Sequence, residues 1–387
     1  MRNPQGPAKI LVVDDVPRNV RLLELNLKSE GYQVIPAYNG QEALDKVSSE
    51  KPDLILLDIM MPGMDGYEVC RRLRQRESTR ALPIVMVTAY EKEPEKKIEA
   101  IDIGADDFIR KPFERYELLA RVKSLLRVKY LYDELKRVNQ RLEDELIMAR
   151  EVQLAFLPQE YPDSTELNFA HKYIPTFAVG GDFFDIRPLS GGLVEIFISD
   201  VMGHGPQAAM ITGVIKTLLT SLSSSLASPG YLLSQINQQF HRLMDSGDLG
   251  VFVTAFSMVI DTRRKKIIYS NAGHPRPFLI QRSNDEFYEM QSEQSVALGM
   301  IPNTIYQDHE NELKNGDMLF LFTDGLLELM NRESKQFHAE ELNKAISNNT
   351  HLEPEPFVEA IMCAAEAFAE GLTNPDDMTL LAIGYKE

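Results

Sequence analysis

The sequence predicts two folded units of different class joined by a long helix. The first is a doubly wound α/β unit with a five-stranded parallel sheet. The second is an α+β unit, an antiparallel β-sandwich flanked by helices. Three observations carry this. From Lys9 to about Val128, short apolar runs alternate with helical stretches. From Glu114 to about Phe156 the chain has neither Gly nor Pro, and apolar residues recur at spacings of three and four. From Tyr161 onward, strands and helices come in blocks. Alternation implies crossover connections and a parallel sheet, whereas blocks imply antiparallel sheets with helices outside them.

In the first unit the strand-like runs are Ile10–Val13, Gln33–Pro36, Leu54–Leu57, Ile84–Val87 and Phe108–Ile109. Helical stretches at Arg18–Ser29, Gln41–Ser48, Tyr67–Arg76 and Glu95–Ile103 separate them. Gly31, Asn39-Gly40, Pro62-Gly63 and Gly104 stand at the turns. In the connector the apolar stripe is Val128, Leu131, Leu135, Val138, Leu142, Leu146 or a neighbour, Ala149, Val152 and Phe156. A stripe over about four heptads predicts a coiled coil and a homodimer. The alternative is one long surface helix packed on a domain, and Glu145, where a strict heptad wants an apolar residue, keeps it open. Pro158 and Pro162 end the helix. In the second unit we read strands at Val194–Ile198, Thr254–Ile260, Ile267–Ser270, Phe278–Gln281, Met318–Phe322 and Thr379–Gly384. Helices are read at Pro206–Leu226, Tyr231–Met244 and Glu355–Glu370. The expected boundaries are 8–128, 129–158 and 159–387.

At 387 residues the chain exceeds one ordinary core. A net charge of −17 argues against a nucleic-acid partner, whose binders carry basic patches. Cys70 and Cys363 form neither a metal-ligand spacing nor a disulfide framework, which fits a reducing compartment. No apolar run approaches the roughly 20 residues that span a bilayer, and Met1 to Lys9 lacks a signal-peptide core. We therefore expect a cytoplasmic protein with no membrane partner.

The chemistry is written in acids placed at the carboxyl ends of strand-like runs. Asp14-Asp15 follow the first run, Asp58 the third, and Lys111 stands near the end of the unit. A doubly wound sheet gathers these ends at one edge. Three carboxylates and a lysine can hold a divalent cation and neutralise a phosphoryl group arriving on the central acid, Asp58. In the second unit Asp182, Asp200, Asp324 and the Asp376-Asp377 pair lie at strand or turn ends beside glycines. Such a set suits two hard divalent metals about 4 Å apart, which can bind phosphate and activate water. Gly180-Gly181, Gly203 and Gly205 allow close backbone approach.

Residues 9–128 resemble a response-regulator receiver domain. The matching residues are Asp14-Asp15, Leu57-Asp58-Ile59-Met60-Met61-Pro62-Gly63-Met64-Asp65-Gly66, Thr88-Ala89 and Lys111-Pro112-Phe113. The resemblance implies that Asp58 accepts phosphate from a histidine kinase or phosphotransfer protein. It implies that Asp15, Asp58 and the Met60 carbonyl bind Mg²⁺, with Asp14 acting mainly through water. Thr88 and Lys111 would bind phosphoryl oxygens, Phe108 would be the aromatic switch, and the bond before Pro112 would be cis.

Residues from about 148 to 387 resemble the metal-dependent, PPM-type (type 2C) serine/threonine phosphatases of the bacterial stress-response and sporulation branch. The matching stretches are Ala149–Gln153 through Leu157-Pro158, Val179–Asp185, Ser199–Gly205, Asn271–Pro275, Phe322–Gly325 and Asp376–Thr379. The resemblance implies two Mn²⁺ or Mg²⁺ ions, with Asp200 bridging them and the Val201 carbonyl on the second. Asp182 would bind directly or through water, and Asp324 and Asp376 would complete the first, with Asp377 the alternative. His204 and His274 are either structural turn residues or contacts to substrate, and Asp185 is either a supporting or a structural acid. The implied substrate is a phosphorylated STAS-type anti-sigma-factor antagonist. A catalytically silent adaptor holding a sigma-factor regulator is the alternative function.

Overall fold

A computed structural model describes residues 6–88, 103–222, 228–244, 250–293 and 295–386. Ala89, the helix expected at Glu95–Ile103 up to residue 102, and residues 223–226 of the helix expected at Pro206–Leu226 lie outside the described residues. The chain divides into two units, Met1–Leu142 and Glu143–Glu387.

In the first unit, strands β1 (Lys9–Val13), β2 (Gln33–Ala37), β3 (Leu54–Asp58), β4 (Ile84–Thr88) and β5 (Asp107–Arg110) form a parallel sheet in the order β2-β1-β3-β4-β5. Side chains alternate between faces along a strand. Leu11 and Val13 therefore join one core with Ile55, Leu57 and Met86, under helices α2 (Gly40–Glu50) and α3 (Gly66–Gln75). Ile10 and Val12 join the other with Leu54, Leu56 and Val85, against α1 (Pro17–Lys28) and the start of α4 (Arg115–Leu154). Burial on both faces explains why these strands read as continuous apolar runs. The helix starts follow local chemistry. Pro17 opens α1, the Asn39 side chain accepts from the Glu42 N–H at 2.9 Å, and Asp65 accepts from the Glu68 N–H at 2.8 Å.

Along α4, Leu118, Val122 and Leu126 are buried in the first unit's core. Val128, Leu131, Leu135, Val138, Leu142 and Val152 are exposed. Gln153 is buried, as is Leu157 just beyond the helix, in the second unit.

The second unit holds two five-stranded antiparallel sheets among the described residues. One has the order β13-β10-β9-β8-β7, from β7 (Phe183–Leu189), β8 (Leu193–Val201), β9 (Val253–Asp261), β10 (Lys266–Ala272) and β13 (His309–Glu312). The other has the order β12-β11-β14-β15-β6, from β6 (Leu167–Ile174), β11 (Phe278–Gln281), β12 (Glu286–Glu289), β14 (Asp317–Phe322) and β15 (Met378–Tyr385). Leu319, Leu321, Leu381 and Ile383 turn toward the first sheet's residues, and Met318, Phe320, Phe322 and Leu380 turn the opposite way. Helices α5 (Pro206–Leu222) and α6 (Pro229–Met244) bury Ile215, Leu219, Ile236 and Phe240 with the first sheet. Helices α7 (Ala339–Asn349) and α8 (Pro354–Ala369) cover the second. No helix among the described residues is long and apolar enough to cross a membrane.

Candidate functional sites

In the parallel sheet every carboxyl end falls on one edge, and this edge carries the first site. Asp14 and Asp15 follow β1, Asp58 ends β3, Thr88 ends β4 and Lys111 follows β5. Asp14, Asp15 and Asp58 each bring an oxygen within 4.8 Å of the others. The Lys111 ammonium donates to Asp14 Oδ2 and Asp58 Oδ1, both at 2.6 Å. Asp14 is held further by the Val16 N–H (2.9 Å) and the Asn19 amide (3.0 Å), and Asp58 Oδ2 accepts from the Met60 N–H at 3.1 Å. A Cβ on Gly66 would lie 2.4 Å from the Asp58 carbonyl oxygen, so only glycine lets α3 approach. A groove of ≈ 520 Å³, walled by Asp15, Met60, Asp65 and Tyr67 among others, opens beside the acids. The Lys111–Pro112 bond is cis, as expected. Phe108 is half-buried, with the Arg121 guanidinium 5.9 Å from its ring centre.

Burial pushes the Asp58 carboxyl above its ordinary pKa, against the pull of Lys111. For Lys111 burial acts downward, but the two carboxylates outweigh it and the ammonium ends above its usual value. A buried acid and a firmly charged lysine with spare carboxylate oxygens form a receptacle for positive charge and then for a phosphoryl group.

The second site draws its acids from both ends of its strands. Asp200 lies near the end of β8 and Asp324 two residues past β14, whereas Asp182 immediately precedes β7 and Asp376-Asp377 immediately precede β15. Antiparallel pairing is the reason, because one strand's end lies beside its neighbour's beginning. Phe183 pairs with Ser199, which brings Asp182 beside Asp200. Phe322 pairs with Leu380, which brings Asp324 beside Asp376.

Glycines make the convergence possible. A Cβ on Gly180 would meet the Asp377 carboxylate at 2.4 Å, one on Gly181 the Val201 carbonyl oxygen at 2.7 Å, and one on Gly325 the Asp377 carbonyl oxygen at 1.9 Å. Gly203 and Gly205 both take positive φ (95° and 76°) in the loop after β8.

Asp182 is 1% exposed. Its Oδ2 accepts from the hydroxyls of Thr323 and Thr379, both at 2.7 Å, while its Oδ1 is buried without a hydrogen-bond partner. Burial and then the Asp200 charge push its pKa well up. Burial, Asp324 and Asp376 push Asp200 up to about 8. Burial and Asp376 raise Asp324. The leading contributions to these three come from burial, neighbouring acids and hydrogen bonds, with no lysine or arginine among them. Among the described residues only Asp14, Asp15 and Asp58 bring three ligand oxygens within 4.8 Å of one another, so the second set is a looser group of mutually repelling acids. Its orphaned Asp182 oxygen and its unneutralised charges fit divalent cations, which would reverse the upward shifts.

The structure separates Asp376 from Asp377. Asp377 is 1% exposed and both its oxygens are taken, Oδ1 by the Thr176 N–H at 2.7 Å and Oδ2 by the Gly181 N–H at 2.6 Å. Asp376 is only half-buried, and its Oδ1 accepts from the Asp377 N–H. His274 is buried, its Nδ1 lies 2.9 Å from the Thr254 hydroxyl, and burial drives its pKa down to about 3. Its backbone N–H and carbonyl both bond to the Asn271 side chain, so it belongs to the turn. His204 is exposed and stacks on Phe177, ring centres 4.7 Å apart. Asp185 is buried and paired with Lys216 at 2.9 Å and Arg187 at 3.3 Å, which ties β7 to α5.

Sequence reasoning missed Thr323 and Thr379, the hydroxyl pair that orients Asp182. Both stand beside acids already singled out, in Thr323-Asp324 and Asp377-Met378-Thr379. A small hydroxyl residue next to a buried acid was the available signal.

Comparison with known proteins gives the family of each unit. A model of the response regulator receiver domain matches residues 10–123, and a model of stage II sporulation protein E (SpoIIE) matches residues 190–386. Over 130 residues, 34% of the chain, the sequence is 48% identical to response regulator PleD of Caulobacter vibrioides. That match spans only 28% of PleD. The SiaA-PP2C domain of Pseudomonas aeruginosa shares the fold with a TM-score of 0.57 at 20% identity, covering 64% of this chain and 99% of that one. A putative response regulator from Chloroflexus aurantiacus J-10-fl is 42% identical over 31% of this chain and 98% of its own, with a TM-score of 0.30. The first unit is thus a receiver domain, the second has the PP2C-type fold, and the chain belongs to the SpoIIE family.

Proposed function

We propose that this protein is a two-component response regulator in which phosphorylation of Asp58 controls a metal-dependent protein serine/threonine phosphatase. Receiver, connector and phosphatase occupy about residues 8–128, 129–158 and 159–387. The observation that carries the phosphatase reading is the buried, partnerless Asp182 Oδ1 beside Asp200.

In the receiver, Asp14, Asp15, Asp58 and the Met60 carbonyl would hold Mg²⁺. The phosphodonor is a histidine kinase or phosphotransfer protein, whose phosphoryl group passes to an Asp58 oxygen. Lys111, already shared between Asp14 and Asp58, is placed to take a phosphoryl oxygen. Thr88, at the end of the neighbouring strand, takes another. In the phosphatase, Asp182, Asp200, Val201 through its carbonyl, Asp324 and Asp376 would hold two Mn²⁺ or Mg²⁺. Asp377 instead fastens Gly181 and Thr176 beside the site. The cations, when bound, supply positive charge for the phosphoryl oxygens and lower the pKa of water. Thr323 and Thr379 hold Asp182 in one orientation. By family resemblance the substrate is a phosphorylated STAS-type anti-sigma-factor antagonist.

The test is release of phosphate from a phosphoserine peptide by the purified chain. We expect release with Mn²⁺ or Mg²⁺ and none with a chelator. A folded, metal-loaded chain without turnover would support the adaptor alternative.

The exposed stripe on α4 supports dimerisation. Each of Val128, Leu131, Leu135, Val138 and Leu142 gains about 1.5–3 kcal/mol on burial, against an association cost of about 4–15 kcal/mol. Sedimentation at micromolar concentration should show a dimer. A pure monomer with Asp58 both empty and loaded would remove the proposal.

A further inference from the structure

The last turn of α4 ends in a polar contact that the proposed metal chemistry does not use. Gln153 is 5% exposed, although it sits between the exposed Val152 and Leu154. Its Nε2 donates to the Gly180 carbonyl at 2.6 Å, and its Oε1 accepts from the Gly180 N–H at 3.0 Å. One carboxamide thus satisfies both backbone groups of one residue. Gly180 in turn has no room for a side chain, because the Asp377 carboxylate lies against it. The next N–H, of Gly181, donates to Asp377, and the next residue is Asp182. One turn on, Phe156 lies 3.4 Å from where a Cβ on Gly213 of α5 would stand.

We propose that Gln153 is a positioning residue for the acidic site, holding Gly180 so that Asp182 stands at the correct distance from Asp200. Two bonds to one residue, one on each of its flanking peptides, fix orientation as well as distance. A slide of one residue along the helix moves a side chain about 1.5 Å and turns it by about 100°, beyond the range of both bonds. Asp182 alignment therefore depends on how the last turn of α4 lies against the phosphatase unit. The inference rests on the reading of Asp182 and Asp200 as metal ligands and assigns to that site its mechanical input.

The experiment is Mn²⁺ binding to the full chain, followed by electron paramagnetic resonance and separately by turnover. Gln153→Met keeps the length and removes both hydrogen bonds. We expect Mn²⁺ affinity to fall about 10-fold or more, as for other residues that orient ligands, with turnover largely regained at saturating metal. Leu157→Ala, a loss of core packing alone, should lower the melting temperature without shifting the Mn²⁺ midpoint. Folded Gln153→Met binding Mn²⁺ within twofold of wild type overturns the inference. If Gln153→Met does not fold, Gln153→Glu, which keeps the acceptor but loses the donor, is read in the same way. If neither folds, hydrogen exchange on the wild-type chain decides. The Gly180 amide should be protected and become more so with Mn²⁺, and exchange at the solvent rate overturns the inference. A wild-type chain with no Mn²⁺ site in the phosphatase unit would instead refute the underlying metal reading.

Discussion

Asp200→Asn and Asp324→Asn are each expected to lower metal-dependent phosphate release by at least about 100-fold while leaving the fold intact. Loss of a residue that merely orients a ligand costs roughly 10–100-fold, and loss of a charged ligand should cost more. The fold should survive because burial and neighbouring acids disfavour the charge at both positions in the metal-free protein. Removing such a charge relieves repulsion. The metal-free variants should therefore melt no lower than metal-free wild type, and added Mn²⁺ should raise their melting temperature less than it raises that of wild type. Phosphate release together with melting curves makes the check. Full turnover by either folded variant at saturating metal would refute the assignment.

The second large effect concerns the connector. Helix α4 carries receiver core residues at Leu118, Val122 and Leu126, an exposed stripe, and the Gln153 contact. If phosphorylation at Asp58 acts by turning or realigning this helix, its phase matters more than its length. Inserting one to three helix-neutral residues near Asn139 turns one end by roughly 100–300°, while seven residues return it to within about 20°. We expect the short insertions to abolish the response to a phosphoryl mimic and the seven-residue insertion to retain it. A coupling of about 1–3 kcal/mol sets the response at roughly 5–150-fold. Retained control in every short insertion would exclude a rotational mechanism.

The sequence was most legible where one physical rule decides the outcome. The parallel strands are buried on both faces, so Leu54–Leu57 and Ile84–Val87 announce themselves as apolar runs. The five residues matched to the receiver pattern, Asp14, Asp15, Asp58, Thr88 and Lys111, follow from strand ends on one edge. The edge strands of the two antiparallel sheets were not legible. Glu286–Glu289 and His309–Glu312 are short and largely polar, because an edge strand with a wet face needs no apolar run. Strand β6 was hidden by polar residues such as Asn168 and His171, and β7 by its acid-rich start at Asp182–Asp185. Helix α7 ends in Ser347-Asn348-Asn349 and shows few apolar positions. In the phosphatase the acids could be named but not placed, since antiparallel pairing mixes strand beginnings with strand ends. The hydrogen bonds that fix Asp377 were hidden too, since the Gly181 and Thr176 N–H groups come from distant segments.

The central claim is that occupancy of Asp58 sets the activity of the Asp182–Asp200 site. Its most direct test is turnover of a phosphoserine peptide by the full chain at saturating Mn²⁺, with and without beryllofluoride. Asp58→Asn serves as the control, and occupancy of Asp58 is measured independently. The account predicts higher turnover in the loaded wild type and no change in Asp58→Asn. Equal turnover in the two states, with Asp58 shown to be occupied, would contradict it.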